Sequence, residues 1–244
     1  IEGTGHAGVG AVFDHSNSVV ARLLGSKVII ISSGGVGRPI DEIVLNKALY
    51  DKDKVKVIGV IINKVLPQKL LRISNTVRQG LRRKNIDVLG VIPYNSVLAE
   101  PTMNQIMEET GFKLFCGEDN LNNRISNIIV GAMEPSEALA YFKKRSLLIT
   151  PGDREDLILA SLASKKDDIS GMVFTGGLLP SPALIEDLKR SQIPVLIAYQ
   201  HTYAVASTIH DLTVKIRPRD VNKINIIIEM IKEHVDFDRI INRM

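Results

Sequence analysis

Three stretches of the chain hold residue types that could do chemistry. The first, "SSGGVGRPIDEI" at 32–43, sets Gly34, Gly35 and Gly37 between an apolar run and what reads as a helix, with Arg38 and Pro39 behind them. A phosphate loop has the pattern G-x-x-x-x-G-K-[ST], in which a lysine meets the β/γ oxygens and a hydroxyl holds magnesium. No Lys-Ser/Thr pair follows these glycines, and Gly35-Val36-Gly37 runs into Arg38-Pro39-Ile40, so the dinucleotide fingerprint fails as well. A helix N-terminus that favours a carboxylate or phosphate remains, beside the plainer reading of a tight strand-to-helix turn. The second stretch, "IEGTGHAGVG" at 1–10, carries one acidic residue, Glu2, in a glycine-rich loop. Such a loop could hold a magnesium ion while its backbone approaches a ligand. The third is split: "TPGDREDLI" (150–158) and "GMVFTGGLLPSP" (171–182) place Asp153-Arg154 and Thr175-Gly176-Gly177 each after an apolar run. Arg154 offers a forked cation for an anion or a partner carboxylate, and Asp153 could cap the following helix. Capping plus a structural ion pair is the alternative. Nothing resembles a nucleophile–base pair, and His6, His15, His201, His210 and His234 are not spaced for metal binding.

These loops need a scaffold. Ser16 reads as the N-cap of a helix over 17–25 with Val19, Val20, Leu23 and Leu24 as its inward stripe. "KVIII" reads as a buried strand over 27–32. Pro39 then sits at a first helical position, with Asp41 and Glu42 in the first turn and Ile40, Ile43, Val44 and Ala48 facing inward. Strand 55–62, helix 68–84 and strand 87–92 follow, and the pattern loosens over 102–125. A second series then begins: strands at 125–132, 146–150, 169–175 and 194–198, helices at 135–143, 154–164, 181–190 and 202–210, and a terminal helix from about 219. Continuous apolar strands alternating with amphipathic helices predict parallel sheets covered on both faces. Strand carboxyl ends then share one edge, which gathers the 34–37 loop, Asn63 and Pro93 in the first part. The same rule gathers 152–154 and 175–177 in the second. A boundary near 112–124 divides the chain into 1–112 and 113–244.

Composition narrows the classes. The 244 residues are 45% hydrophobic and 24% charged, with no Trp, so Ile, Val and Leu must fill the cores. Cys116 is the sole cysteine and points to a reducing compartment. No apolar run reaches the roughly 20 residues that span a bilayer, which gives a cytoplasmic reading without membrane contact. Residues 1–112 carry 14 Lys+Arg against 10 Asp+Glu, and the remainder 17 against 17. The cluster Arg82-Arg83-Lys84 ends a helix, where cations suit the dipole, and no aromatic platforms interleave with it. A nucleic-acid partner is disfavoured.

"EGTG", "KVIIISSGGVGRPIDEI", "VIGVIINK" and "GVIPYN" come in the order and spacing of dethiobiotin synthetase-like P-loop proteins, which the first part resembles. The resemblance implies that Glu2 binds magnesium and that Asn63 and Pro93 line the nucleobase pocket of ATP. It also implies that Gly35, Gly37 and Arg38 belong to the loop serving the carboxylate end of the substrate, often across a dimer interface. On that reading "GGVGRP" is the family's second loop, and its phosphate loop would lie upstream of Ile1. The family continues with polar residues where this chain has Arg38-Pro39-Ile40-Asp41, which sets its substrate apart from diaminopelargonate. The second part resembles the DRTGG domain through 150–158, 171–182 and "IPVLIAYQHTYAVAS" (193–207), with His201 where that family commonly has Asp. The resemblance implies a cleft lined by Asp153, Arg154, Thr175, Gly176 and Gly177.

Together the two parts resemble the N-terminal region of long bacterial phosphotransacetylases. The fold expected is two parallel-sheet α/β domains, a partial P-loop NTPase-like one and a DRTGG one. The function expected is a regulatory or ligand-sensing nucleotide-binding-type module without the transacetylase domain. It would work as a homo-oligomer, with a phosphotransacetylase or another acetyl-phosphate-pathway protein as partner. ATP and Mg²⁺ are implied for the intact family domain only, and without a Walker lysine this stretch is not expected to catalyse. The rivals are an ATP-dependent ligase acting on a small carboxylate and a structural oligomerisation module.

Overall fold

A computed structural model describes residues 1–164, 168–218 and 220–244. The chain divides into two compact units, one of 1–95 with 218–244 and one of 96–217.

The first unit opens with a looped segment and helix α1 (Asn17–Leu23), whose cap is the expected one: the Ser16 side chain accepts from the Val19 amide. Its expected apolar stripe is not buried. Leu23 and Leu24 face solvent, while Ser18 and Ala21 turn inward, because the small faces allow close approach to the neighbouring Tyr50 cluster. Strands β1 (Val28–Ser33), β2 (Val57–Val65) and β3 (Val88–Pro93) form a parallel sheet in the order β1-β2-β3. Helices α2 (Arg38–Lys52) and α3 (Leu70–Arg82) connect them. Their apolar sides meet the strands in one core, where Ile43, Val77 and Leu81 pack with Val60, Ile62 and Val65. Two expectations yield here. "KVIII" is an edge strand with Ile31 65% exposed, not a buried one, and Ala48 faces water rather than the core.

The second unit begins earlier than the expected boundary. Helix α4 (Met103–Thr110) carries a full capping box between Thr102 and Gln105 and ends at Gly111 in the left-handed region. It belongs to this unit because Met103 and Ile106 are wholly buried against Leu147, Ile149, Val173 and Leu196. Gly171 makes that possible: a Cβ there would come 2.2 Å from the Met103 sulfur. Five strands follow, β4 (Lys113–Cys116), β5 (Asn127–Val130), β6 (Ser146–Pro151), β7 (Ile169–Thr175) and β8 (Val195–Ile197), in the order β4-β8-β7-β6-β5. All pair in parallel except β4, an antiparallel edge strand in the stretch that reads as loosened in sequence. Helices α5 (Glu155–Leu162), α6 (Pro182–Ser191) and α7 (Thr202–His210) complete the layers. The expected helix at 135–143 is one α turn, Pro135–Ala138, followed by a 3-10 turn. The strands alternate cleanly. Leu147, Ile149, Val173 and Leu196 face one core, and Leu148, Met172, Phe174 and Val195 the other, as burial on both faces requires.

Helix α8 (Val221–His234) and the short helix after it, Phe237–Ile241, return to the first unit, not to 113–244 as sequence order suggests. Its expected start at 219 lies outside the described residues. The reason is local. A Cβ on Gly90 would come 2.7 Å from the His234 carbonyl, so only glycine lets this backbone cross β3. The Asp236 amide donates to the Leu89 carbonyl at 2.9 Å, and Arg239 and Arg243 both reach Asp87.

Candidate functional site

In the first unit the parallel register brings the expected residues to one edge. Ser33 pairs with Asn63, and Val65 with Pro93, so the glycine loop follows β1 beside the ends of its neighbours. The glycines there serve packing. A Cβ on Gly34 would come 2.8 Å from the Val65 Cα, and one on Gly35 would come 3.0 Å from the Pro39 ring. Gly37 meets nothing. Arg38 is turned along its own helix to Glu42 at 2.7 Å, and the Asn63 side-chain oxygen accepts from the Lys64 amide at 2.8 Å. Glu2 is exposed, and among the described residues no three His, Cys, Asp or Glu side chains group as a metal site.

The second unit's edge is built more tightly. Pro151 pairs in register with Thr175, so the loops after β6 and β7 leave the sheet side by side. They interlock through glycine. A Cβ on Gly152 would come 2.0 Å from the Leu178 carbonyl oxygen. Gly176 and Gly177 both adopt positive φ, 72° and 67°, which L side chains rarely take. Their amides are already used, Gly176 donating to the Gln200 carbonyl and Gly177 to that of Ala198, each at 2.9 Å. What approaches Gly177 is the Tyr199 ring, 2.8 Å from where a Cβ would stand.

The polar residues are likewise satisfied within the chain. Thr175 is buried and its hydroxyl shares a 2.8 Å hydrogen bond with that of Thr202. Arg154 occupies the N-cap position of α5 without a side-chain cap, and Asp153 is exposed, so the expected capping by Asp153 does not occur. The Arg154 guanidinium forks onto Asp156, 2.9 Å through Nε and 2.8 Å through Nη2, and donates to the carbonyls of Met133 (3.0 Å) and Gly131 (3.5 Å). The pair fixes both charges. The hydrogen bond from Arg154 holds the Asp156 carboxyl below its usual range, and Asp156 in turn raises the guanidinium. Glu155, the next residue, accepts from the Ser181 amide at 2.6 Å and so holds the start of α6.

The five expected residues thus lie at one strand edge, but Thr175, Arg154 and the glycine amides are turned inward as structural ties. Sequence reading missed their partners. Thr202 lies 27 residues from Thr175, with no local signal, whereas Asp156, two residues from Arg154, was open to inspection. It also missed what the edge presents outward: Leu178, Leu179, Tyr199 at 66% and Tyr203 at 80% exposure. The His201 ring stacks on Tyr203 with centroids 6.5 Å apart, and the Lys113 ammonium lies 5.4 Å from the Tyr199 centroid.

Comparison with known proteins agrees with this division. Residues 105–212 match the family model of the DRTGG domain, and residues 1–102 that of an AAA domain. Phosphate acetyltransferase of Nitratidesulfovibrio vulgaris is 32% identical over 259 residues, covering 99% of this chain and 37% of that protein. Phosphate acetyltransferase of Synechocystis is 28% identical, covering 99% and 36%. The chain therefore spans a little over a third of these curated relatives. A crystal structure of the CBS and DRTGG domains of the regulatory region of Clostridium perfringens pyrophosphatase is 17% identical, covers 68% of this chain and 85% of that one, and has a TM-score of 0.41.

Proposed function

We propose, for a chain that carries a DRTGG domain at 105–212 behind an AAA-domain region at 1–102 and is similar over its length to phosphate acetyltransferases, a regulatory role by self-association. The observation that carries it is the outward face of the DRTGG edge. Leu178 and Leu179 after the Gly176-Gly177 turn, Tyr199 after β8 and Tyr203 in α7 stand exposed, while the turn's amides and the Thr175 hydroxyl are spent internally. Such a rigid apolar and aromatic face suits a partner, and a second copy of this chain is the occupant we assign to it. No nucleophile stands beside a base there, so the face is read as binding rather than catalytic. In a larger protein of the phosphate acetyltransferase type, this pairing would carry a signal from a small-molecule ligand to the transferase. Asn63 and Pro93 remain the nucleobase wall we assign to the first unit.

Sedimentation velocity tests the reading. The chain should run as a dimer at about 100 μM, as hot-spot aromatics in a symmetric interface allow. The double change Tyr199→Ser, Tyr203→Ser should give a folded monomer whose melting temperature no longer rises with protein concentration. A wild-type monomer overturns the assembly. An association state and a melting temperature indifferent to both ATP–magnesium and acetyl phosphate overturn the sensing role.

A further inference from the structure

The opposite end of the DRTGG sheet carries a second feature that the edge does not explain. A cavity of about 730 Å³ opens where β6 and β7 begin, bounded by the 120–124 loop and by the ends of α5 and α6. Among the described residues that line it, Arg124, Lys144 and Arg145 are cationic and none is acidic. Two of the three cations lack a counter-charge. Arg145 donates through Nη1 to Glu100 at 3.2 Å, but its Nε is buried without a hydrogen-bond partner. Arg124 is half-buried, Lys144 is exposed, and among the described residues neither side chain has an ion-pair or hydrogen-bond partner.

A half-buried guanidinium without a partner gives up hydration for nothing unless something else completes it. The helix ends supply only part. Leu162 and Ser191, the last residues of α5 and α6, line the cavity, and each helix C-terminus carries roughly −0.5 of a charge. Among the described residues, with Arg145 paired to Glu100, the +2 of Arg124 and Lys144 exceeds the helix contribution by about one charge. The site is left electropositive.

We propose that this cavity binds a small molecule bearing a phosphoryl group. Arg124 is the forked donor and Lys144 the mobile point charge. Two cations carried on separate segments suit a dianionic phosphoryl group better than a singly charged carboxylate, which a single fork satisfies. The cavity is far larger than inorganic phosphate, and Leu162, Ile169 and Ile193 give it apolar wall for an organic remainder. The site lies at the amino ends of the strands, away from the turn at 175–177, and stands independently of the self-association reading.

The test is calorimetric titration of the whole chain at constant ionic strength with inorganic phosphate, glycerol 3-phosphate and acetate. Both phosphates should bind saturably, and acetate about tenfold more weakly or not at all. The tighter of the two phosphates identifies the source, an ester if the apolar wall contributes. Arg124→Gln should weaken phosphate about tenfold and Lys144→Gln less, as a forked donor outweighs a solvated ammonium. Because neither side chain ties the fold together, both variants should melt with the wild type in the absence of phosphate. Absence of saturable heat with either phosphate overturns the proposal. So does binding that Arg124→Gln leaves unchanged.

Discussion

Arg154→Ala separates the two roles open to the residue that heads the DRTGG motif. The guanidinium pairs with Asp156 two residues away, and the two side chains are 33% and 45% exposed. A pair so placed contributes about 0.5–1 kcal/mol after solvent screening. The 3.0 Å bond to the Met133 carbonyl adds about 1 kcal/mol, while the 3.5 Å contact to Gly131 is too long to add much. The loss is therefore about 1.5–2 kcal/mol, felt in the unit of residues 96–217. For a unit of that size each kcal/mol moves the midpoint by about 3–5 °C, so calorimetry should find its transition about 5–10 °C lower. Amide exchange at Ala132 and Met133 should quicken, since Arg154 is what ties that loop to the start of α5. Arg154→Lys should recover only part of the loss, because an ammonium cannot fork. Asp156→Asn should cost less than Arg154→Ala, because the Met133 bond survives it. A melting point within about 1 °C of wild type, with lost ligand binding, would refute the structural assignment and return Arg154 to the role of anion receptor.

Two further outcomes follow from the same geometry. Gly177→Ala should cost more than Gly176→Ala in urea unfolding: both force a side chain to positive φ, worth about 1 kcal/mol, but only the first also displaces the Tyr199 ring and with it the self-association face. Asp87 is held below its ordinary 3.8 first by the hydrogen bond from Arg243 and then by the charges of Arg243 and Arg239, so its contribution is present above that value and lost as pH falls through the depressed one. Asp87→Asn should accordingly melt below wild type at neutral pH, with the gap closing as the pH falls through the depressed value; a gap that persists once the carboxyl is protonated would show that its charge is not what docks the terminal segment.

Much of the scaffold was legible because it depends on local chemistry. Ser16 marks a helix start through a bond made within one turn and Pro39 through its fixed φ, and the structure keeps both, whereas the capping box of Thr102 and Gln105 lies in a stretch that reads as loosened. The apolar strands announced parallel sheets because burial on both faces removes the alternation that a solvent-facing strand would show. Placing the two glycine-bearing loops on one edge also needed no coordinates, since neighbouring parallel strands end on the same side. Burial in detail was less secure. Leu23, Leu24 and Ile31 are apolar and exposed, because a periodic stripe shows which residues share a face and not whether anything covers it.

What the sequence by itself determined, then, is the identity of the two modules, their order and the strand ends at which their motifs gather. Tertiary structure alone decided what those motifs do. Gly176 and Gly177 read as space for a ligand, yet they accommodate positive φ and the Tyr199 ring. Arg154 read either as a receptor for an anion or as half of a structural ion pair, and Asp156 with the Met133 carbonyl settles it as the second. Strand β4 and the return of α8 to the first unit were equally hidden, because each rests on contacts with residues far along the chain: Cys116 with Val195, and Val235 with Gly90. Spacing encodes bonds within a turn of helix or a pair of strand ends. Which distant group fills a donor's last position depends on packing, and only the folded chain fixes that.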